Sequence, residues 1–160
     1  MFKIKPTTLY RKDGLYFSPV HTKGRGLFCT EDIKAGEVIE VAPVFLFNEA
    51  DSKKVETTII SDYYFSAEGV PEAILRRAGI ADAAKASCMA MGAISYCNHM
   101  VEPNAAAEKI AEHHTLYYKL TARKDIPKET EICINYGIAW ISMRKMRDYA
   151  AKKKAGQDND

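Results

Sequence analysis

Along its first ninety residues the chain sets short runs of β-branched and aromatic residues between turn residues, a pattern that predicts mostly strands. Residues 15–20, 26–30 and 37–41 read as strands. Gly36, after Lys34-Ala35, supplies the positive φ of a tight connection, and Pro43 is expected to reset the chain before a separate apolar run at 44–47. Residues 48–58 are polar and predict a short helix or loop, whereas 59–65 regain β-branched and aromatic character and read as a further strand, broken by Gly69-Val70-Pro71. Pro71 suits a first helical position, and the following EAILRRAGIADAAKAS predicts one or two short helices interrupted at Gly79. Residues 115–122 read as strand, Ile126-Pro127 as a turn, and 131–136 as a buried strand. The period then changes. Ala139, Trp140, Met143, Met146 and Ala150 recur at helical spacing, with Arg144, Lys145 and Arg147 on other sides, predicting an amphipathic helix over 138–154 and a frayed tail at 156–160. No internal repeat is present, which excludes solenoids and propellers.

Composition narrows the class without naming a function. A chain of 160 residues is expected to form a single domain able to bury a core without staples, and 47% hydrophobic with 28% charged residues is ordinary for a globular protein. The net charge of +2 is too small to make the whole surface a nucleic-acid binder. The basic run KMRDYAAKKK, ending in Lys152-Lys153-Lys154, reads as a solvated helix face. Cys29, Cys88, Cys97 and Cys133 are far apart with no C-x-x-C spacing, so free thiols are expected and no metal. His113-His114 reads as a loop or strand-edge pair, since neighbouring strand positions face opposite ways and cannot converge on an ion. Glu108 and Glu112 read as surface carboxylates. The start, MFKIKPTTLYRKDG, carries no secretory apolar core and no segment reaches membrane-span length, so a reduced cytoplasmic setting is the default, with nuclear or host-cell targeting left open.

Three short clusters carry the chemistry. Lys23-Gly24-Arg25-Gly26-Leu27-Phe28 places two glycines one residue apart, letting backbone turn and approach a ligand closely, although a plain hairpin turn has the same look and the third glycine of a dinucleotide fingerprint is missing. GAISYCNHMVEPN at 92–104 sets Asn98-His99 four residues before Pro103-Asn104, and KETEICINYG at 128–137 ends a strand in Asn-Tyr-Gly. Together, over residues 15–140, these segments resemble SET-domain protein-lysine methyltransferases, in the compact stand-alone form of bacteria or viruses. The resemblance implies a mainly β, β-clip-like fold with short helices, a C-terminal pseudoknot, and the 138–154 helix in place of the cysteine-rich zinc cluster that many members carry after the final Tyr. It implies S-adenosylmethionine as cofactor, held by Lys23, Gly24, Arg25, Gly26, Asn98, His99, Tyr136 and Trp140. Within that set the Asn98 side chain takes the amino-acid end, the His99 backbone takes adenine, and the His99 ring pins the crossing chain. Tyr136 stands at the methyl-transfer centre, and Tyr63, Tyr64, Tyr96 and Ile134 are candidates for the lysine channel, with core packing the plainer reading of the aromatics among them. Met100 and Val101 replace the usual Ser and Cys, and Asn135 replaces the usual Asp.

The implied partner is a lysine-bearing protein, a histone or another basic protein, with self-association an option known in compact members. Methyl transfer needs a neutral amine in line with the methyl carbon, and freeing a lysine of its proton at pH 7 costs roughly 4–5 kcal/mol. A narrow apolar channel beside a sulfonium disfavours the ammonium form, and a tyrosine supplies both apolar wall and a neutral hydroxyl. Two other classes compete with this reading. One is an inactive SET-like module that binds peptide or cofactor without turnover, which the intact Asn98, His99 and Tyr136 disfavour. The other is a basic interaction protein using its C-terminal helix on nucleic acid, which the modest charge disfavours.

Overall fold

The computed structural model describes residues 8–137, so Trp140, the 138–154 helix and the 156–160 tail lie outside the described residues. The main sheet contains six strands. Its spine is β4 (Val38–Phe47), which pairs antiparallel with β9 (Thr115–Ala122) through its first half and with β6 (Ser87–Ala90) through its second. β5 (Phe65–Ser66) extends the β6 side and β8 (Ala105–Glu112) the β9 side, while β1 (Tyr10–Arg11) lies along the first half of β4. Two smaller units pack against this sheet: the hairpin of β2 (Leu15–Val20) with β3 (Gly24–Cys29), and the parallel pair of β7 (Asn98–His99) with β10 (Cys133–Ile134). The mainly β expectation holds.

Pro43 does not end a strand. β4 runs straight through it, and Pro43 is the last residue paired with β9 before Val44 takes up β6. A residue without an N–H fits where the ladder changes partner. Residues 59–65 also depart from the expected strand, forming a 3-10 turn over Ile59–Asp62 with only Phe65–Ser66 extended. The Thr58 side chain accepts the Ile60 N–H, and Ile59 stays 75% exposed, so local capping overrides β-branched propensity there. Helix α1 (Glu49–Val55) is capped by the Asn48 side chain, and α2 (Glu72–Arg77) starts one residue after Pro71. α2 ends in paired bonds from Gly79 N–H to the Arg76 carbonyl and Ile80 N–H to the Leu75 carbonyl, with Gly79 at φ +70°. Ile80 and Leu75 then meet in a satellite core with Val70, Ile74 and Leu116, the apolar contact that accompanies this kind of helix end.

Strands β6 and β8 carry no clear signal of their own. β8 is AAAEKIAE, poor in β-formers, and is drawn into the sheet by the adjoining hairpin. Glu112 pairs with Thr115 across a two-residue turn whose members, His113 and His114, both have positive φ (48° and 66°). That is the hairpin geometry that favours Asn-Gly, and it places the adjacent histidines in a turn.

A register shift between Val38 and Glu40 in β4 leaves both Ile39 and Glu40 buried on consecutive positions. The Glu40 carboxylate accepts N–H groups of Ala93 (2.9 Å) and Ile94 (2.8 Å), fixing the 3-10 turn Ala93–Tyr96 that leads into β7. Gly92 makes room: a Cβ there would lie 2.6 Å from Glu40 Oε1.

Two stability outcomes are expected. Replacing His114 by Gly relieves a positive φ and raises stability by about 1 kcal/mol, read as a higher urea midpoint at unchanged slope. Glu40→Ala leaves two buried donors unpaired and lowers stability by roughly 3 kcal/mol in the same measurement.

Candidate active site

The site forms where the segment after Glu129 passes between β3 and β7. Ile132 bridges Leu27 of β3 on one side, while Cys133 and Ile134 pair in parallel with Asn98 and His99 on the other. Ile132, Cys133 and Ile134 are each at most 1% exposed, a buried run within the stretch expected as a buried strand, of which Cys133–Ile134 forms the ladder. Buried backbone polar groups need partners on every side. Asn104, itself buried, supplies them: its Nδ2 donates to the Glu131 carbonyl and its Oδ1 accepts the Cys133 N–H, both at 2.8 Å. Met100 N–H adds a bond to the Ile134 carbonyl.

This crossing brings the motif residues together. Asn98 Nδ2 donates to the Arg25 carbonyl (3.0 Å) and to Glu131 Oε1 (2.7 Å), and Lys23 Nζ lies 3.6 Å from Glu131 Oε2. Tyr136 N–H donates to His99 Nδ1 at 3.2 Å, and the Tyr136 hydroxyl donates to the Cys97 carbonyl at 2.5 Å. The His99 and Tyr136 rings stand 5.6 Å apart. Asn135 Oδ1 accepts the Gly137 N–H at 2.8 Å, turning the chain immediately after Tyr136, where Gly137 has φ +83°.

The two glycines of Gly24-Arg25-Gly26 answer different demands. Gly24 needs its positive φ of 81°, and a Cβ on it would meet open space, so backbone is exposed there. Gly26 is bare because of an internal neighbour: its Cβ would fall 2.7 Å from Glu131 Oε1 and 2.8 Å from Val20 Cγ2.

Tyr136 also lines a cavity of about 580 Å³ with Tyr63, Tyr64, Phe65, Ser95 and Gly137. Tyr96 and Ile134 do not line it. Tyr96 sits between Tyr63 (5.3 Å) and the exposed Phe17 (4.4 Å), and Ile134 belongs to the main core. Carboxylates of Glu49, Glu56, Asp62 and Glu68 edge the cavity with Lys53 and Lys85. Three residues given no role from sequence hold the arrangement: Glu131, Asn104 and Glu40. Asn104 and Glu131 stand inside the segments 92–104 and 128–137 singled out from sequence, and Glu40 carried a signal of its own, a carboxylate inside the apolar run Val38–Phe47.

Burial raises the Cys97 thiol well above its usual range, and burial with the neighbouring Glu131 carboxylate pushes Cys133 up to about 11. Among the described residues no cluster of metal-ligating side chains occurs, and no helix is long and apolar enough to cross a membrane.

The SET domain profile matches residues 24–137, and the chain belongs to that family. It is similar to the Schizosaccharomyces pombe histone-lysine N-methyltransferase specific for H3 lysine 37, 30% identical over 118 residues, covering 72% of this chain and 67% of that protein. Its fold is similar to that of a Plasmodium falciparum protein described as a histone methyltransferase (TM-score 0.59, 22% identity, covering 81% of this chain and 98% of that one). It is likewise similar to the Neurospora histone lysine methyltransferase DIM-5 (TM-score 0.56, 21% identity, covering 77% of this chain and 52% of that one). Family and relative together support a methyltransferase.

All four described cysteines are buried and free. Iodoacetamide at pH 8 is expected to leave Cys97 and Cys133 unmodified in the native protein and to label all four in denaturant, read by mass spectrometry.

Proposed function

We propose that this protein transfers methyl groups from S-adenosylmethionine to the side-chain amine of lysine in a protein substrate. The observation that carries the reading is the position of Tyr136, tied to His99 and Cys97 beside the Lys23, Arg25 and Asn98 cluster while also walling the aromatic cavity. A methyl donor and a lysine require such a junction between two sites.

The donor set suits the amino-acid end of the cofactor. A zwitterion needs a cation for its carboxylate and acceptors for its ammonium, and Lys23, Asn98 and the bare backbone at Gly24 offer these within one corner. When bound, S-adenosylmethionine supplies a methyl carbon activated by a positively charged sulfur. The chain's own part is orientation and exclusion of water. Tyr136 presents its ring as wall, with its hydroxyl held on the Cys97 carbonyl. Tyr63, Tyr64 and Phe65 surround the lysine stem with apolar surface, which disfavours the ammonium form and eases the cost of about 4–5 kcal/mol for a neutral amine at pH 7. Of the charged groups edging the cavity, four are carboxylates and two are lysines, a balance that suits a cationic segment. A histone or another basic protein is the substrate class this favours, in keeping with the histone specificity named for the S. pombe relative.

Transfer of labelled methyl from S-adenosylmethionine to histones and other basic proteins tests the reading. Tyr136→Phe is expected to slow transfer about 100-fold or more, and Asn98→Ala to weaken cofactor binding measured by calorimetry. Both variants labelling as fast as wild type would sink the assignment. With a free-lysine pKa near 10.4, the wild-type rate should climb with pH between about 7 and 9 as the neutral amine fraction grows.

A further inference from the structure

We propose that Glu131 is the positioning residue of the cofactor pocket: it locks the Asn98 amide and tethers Lys23, so that both face the ligand in fixed orientation. The inference rests on the S-adenosylmethionine reading above. Glu131 comes from the crossing segment, at the point where the Asn104 clamp grips its carbonyl, so its backbone is fixed before its side chain acts. Its two oxygens divide the work. Oε1 accepts one Asn98 Nδ2 hydrogen at 2.7 Å while the Arg25 carbonyl takes the other at 3.0 Å. Oε2 faces the Lys23 ammonium at 3.6 Å.

With both amide hydrogens committed, the orientation of Asn98 is set and its oxygen is the atom it offers a ligand, suited to a donor such as an ammonium. An unanchored amide would present nitrogen or oxygen interchangeably and repel that donor half the time. Gly26 is part of the same device, since any side chain there would drive into Glu131 Oε1, 2.7 Å from the position of a Cβ. Thus the second glycine of the pair admits the carboxylate, and the first exposes backbone. The carboxylate side chain is only 17% exposed, so its hold on Asn98 is little weakened by water.

The test is calorimetric titration of the full chain with S-adenosylmethionine, alongside steady-state methyl transfer. Glu131→Ala removes the anchor, and Glu131→Asp withdraws the carboxylate by one methylene; both are expected to weaken the cofactor Kd about 10-fold or more. Their kcat at saturating cofactor and KM for the protein substrate should stay near wild type. Glu131→Gln keeps an acceptor at the right reach and should bind within about threefold of wild type, again in Kd. Asn98→Ala combined with Glu131→Ala should bind more weakly than Asn98→Ala alone only by the part that Glu131 exerts through Lys23, so the two losses are less than multiplicative. Should the Ala variant lose its fold by circular dichroism, the Asp and Gln pair carries the comparison. Ala and Asp variants binding like wild type, a Gln variant as weak as Asp, or fully multiplicative losses in the double variant would each overturn the role of Glu131. Absence of binding by the wild type would overturn the cofactor reading itself and this inference with it.

Discussion

The pairing of one inserted backbone segment on both its edges governs this structure. Residues 132–134 lie where water cannot reach, so each peptide group must find a partner from protein alone. Leu27 serves one edge, β7 serves the other, and Asn104 fills the gap with a side-chain amide that mimics a strand's donor and acceptor. Removing any of these leaves unpaired groups in the core. Because Glu131 and Tyr136 flank the same buried run, both side chains are placed by the hydrogen bonding that makes the fold hold.

The rest of the molecule can be understood as support for that crossing from two sides. Below it, the Glu40 carboxylate grips the Ala93–Tyr96 turn and so sets the height at which Cys97, Asn98 and His99 emerge. Beyond it, the stretch from Asn48 to Ala86 builds its own satellite core on the second half of β4 and leaves the aromatic cavity along its inner side. The corner of Lys23, Arg25 and Asn98 and the cavity therefore come from different parts of the chain, meeting at Tyr136.

Much of this was legible in the sequence, for reasons that differ by element. Leu15–Val20 and Thr115–Ala122 match their expected bounds because alternation and turn residues agree there. The paired Asn98-His99 and Asn135-Tyr136-Gly137 clusters are rare enough in combination to be recognised at once, and the structure places Asn98, His99 and Tyr136 within one hydrogen-bonded group. Residues 59–65 misled because β-branched side chains there stand at the surface, where a Thr cap decides the backbone. Strand β8 was hidden because its alanines gain strand character only from pairing with β9. The role of Glu131 could not be read at all, since it depends on Gly26, more than a hundred positions earlier, leaving space for it.

The separation of the pieces has a consequence for how the molecule comes into being. Asn98 meets Arg25 across 73 positions, and Glu40 meets Ile94 across 54. Such distant closures are slow to search and cannot nucleate locally, and the β4–β9 pairing of the main sheet, Val38 with Thr121, closes over a comparable distance. A chain emerging stepwise from synthesis would hold strands β1 to β9 with a vacant slot, its core edges unpaired, until residues 131–136 arrive to fill it. Assembly of the junction at Tyr136 would then coincide with closure of the core among the described residues.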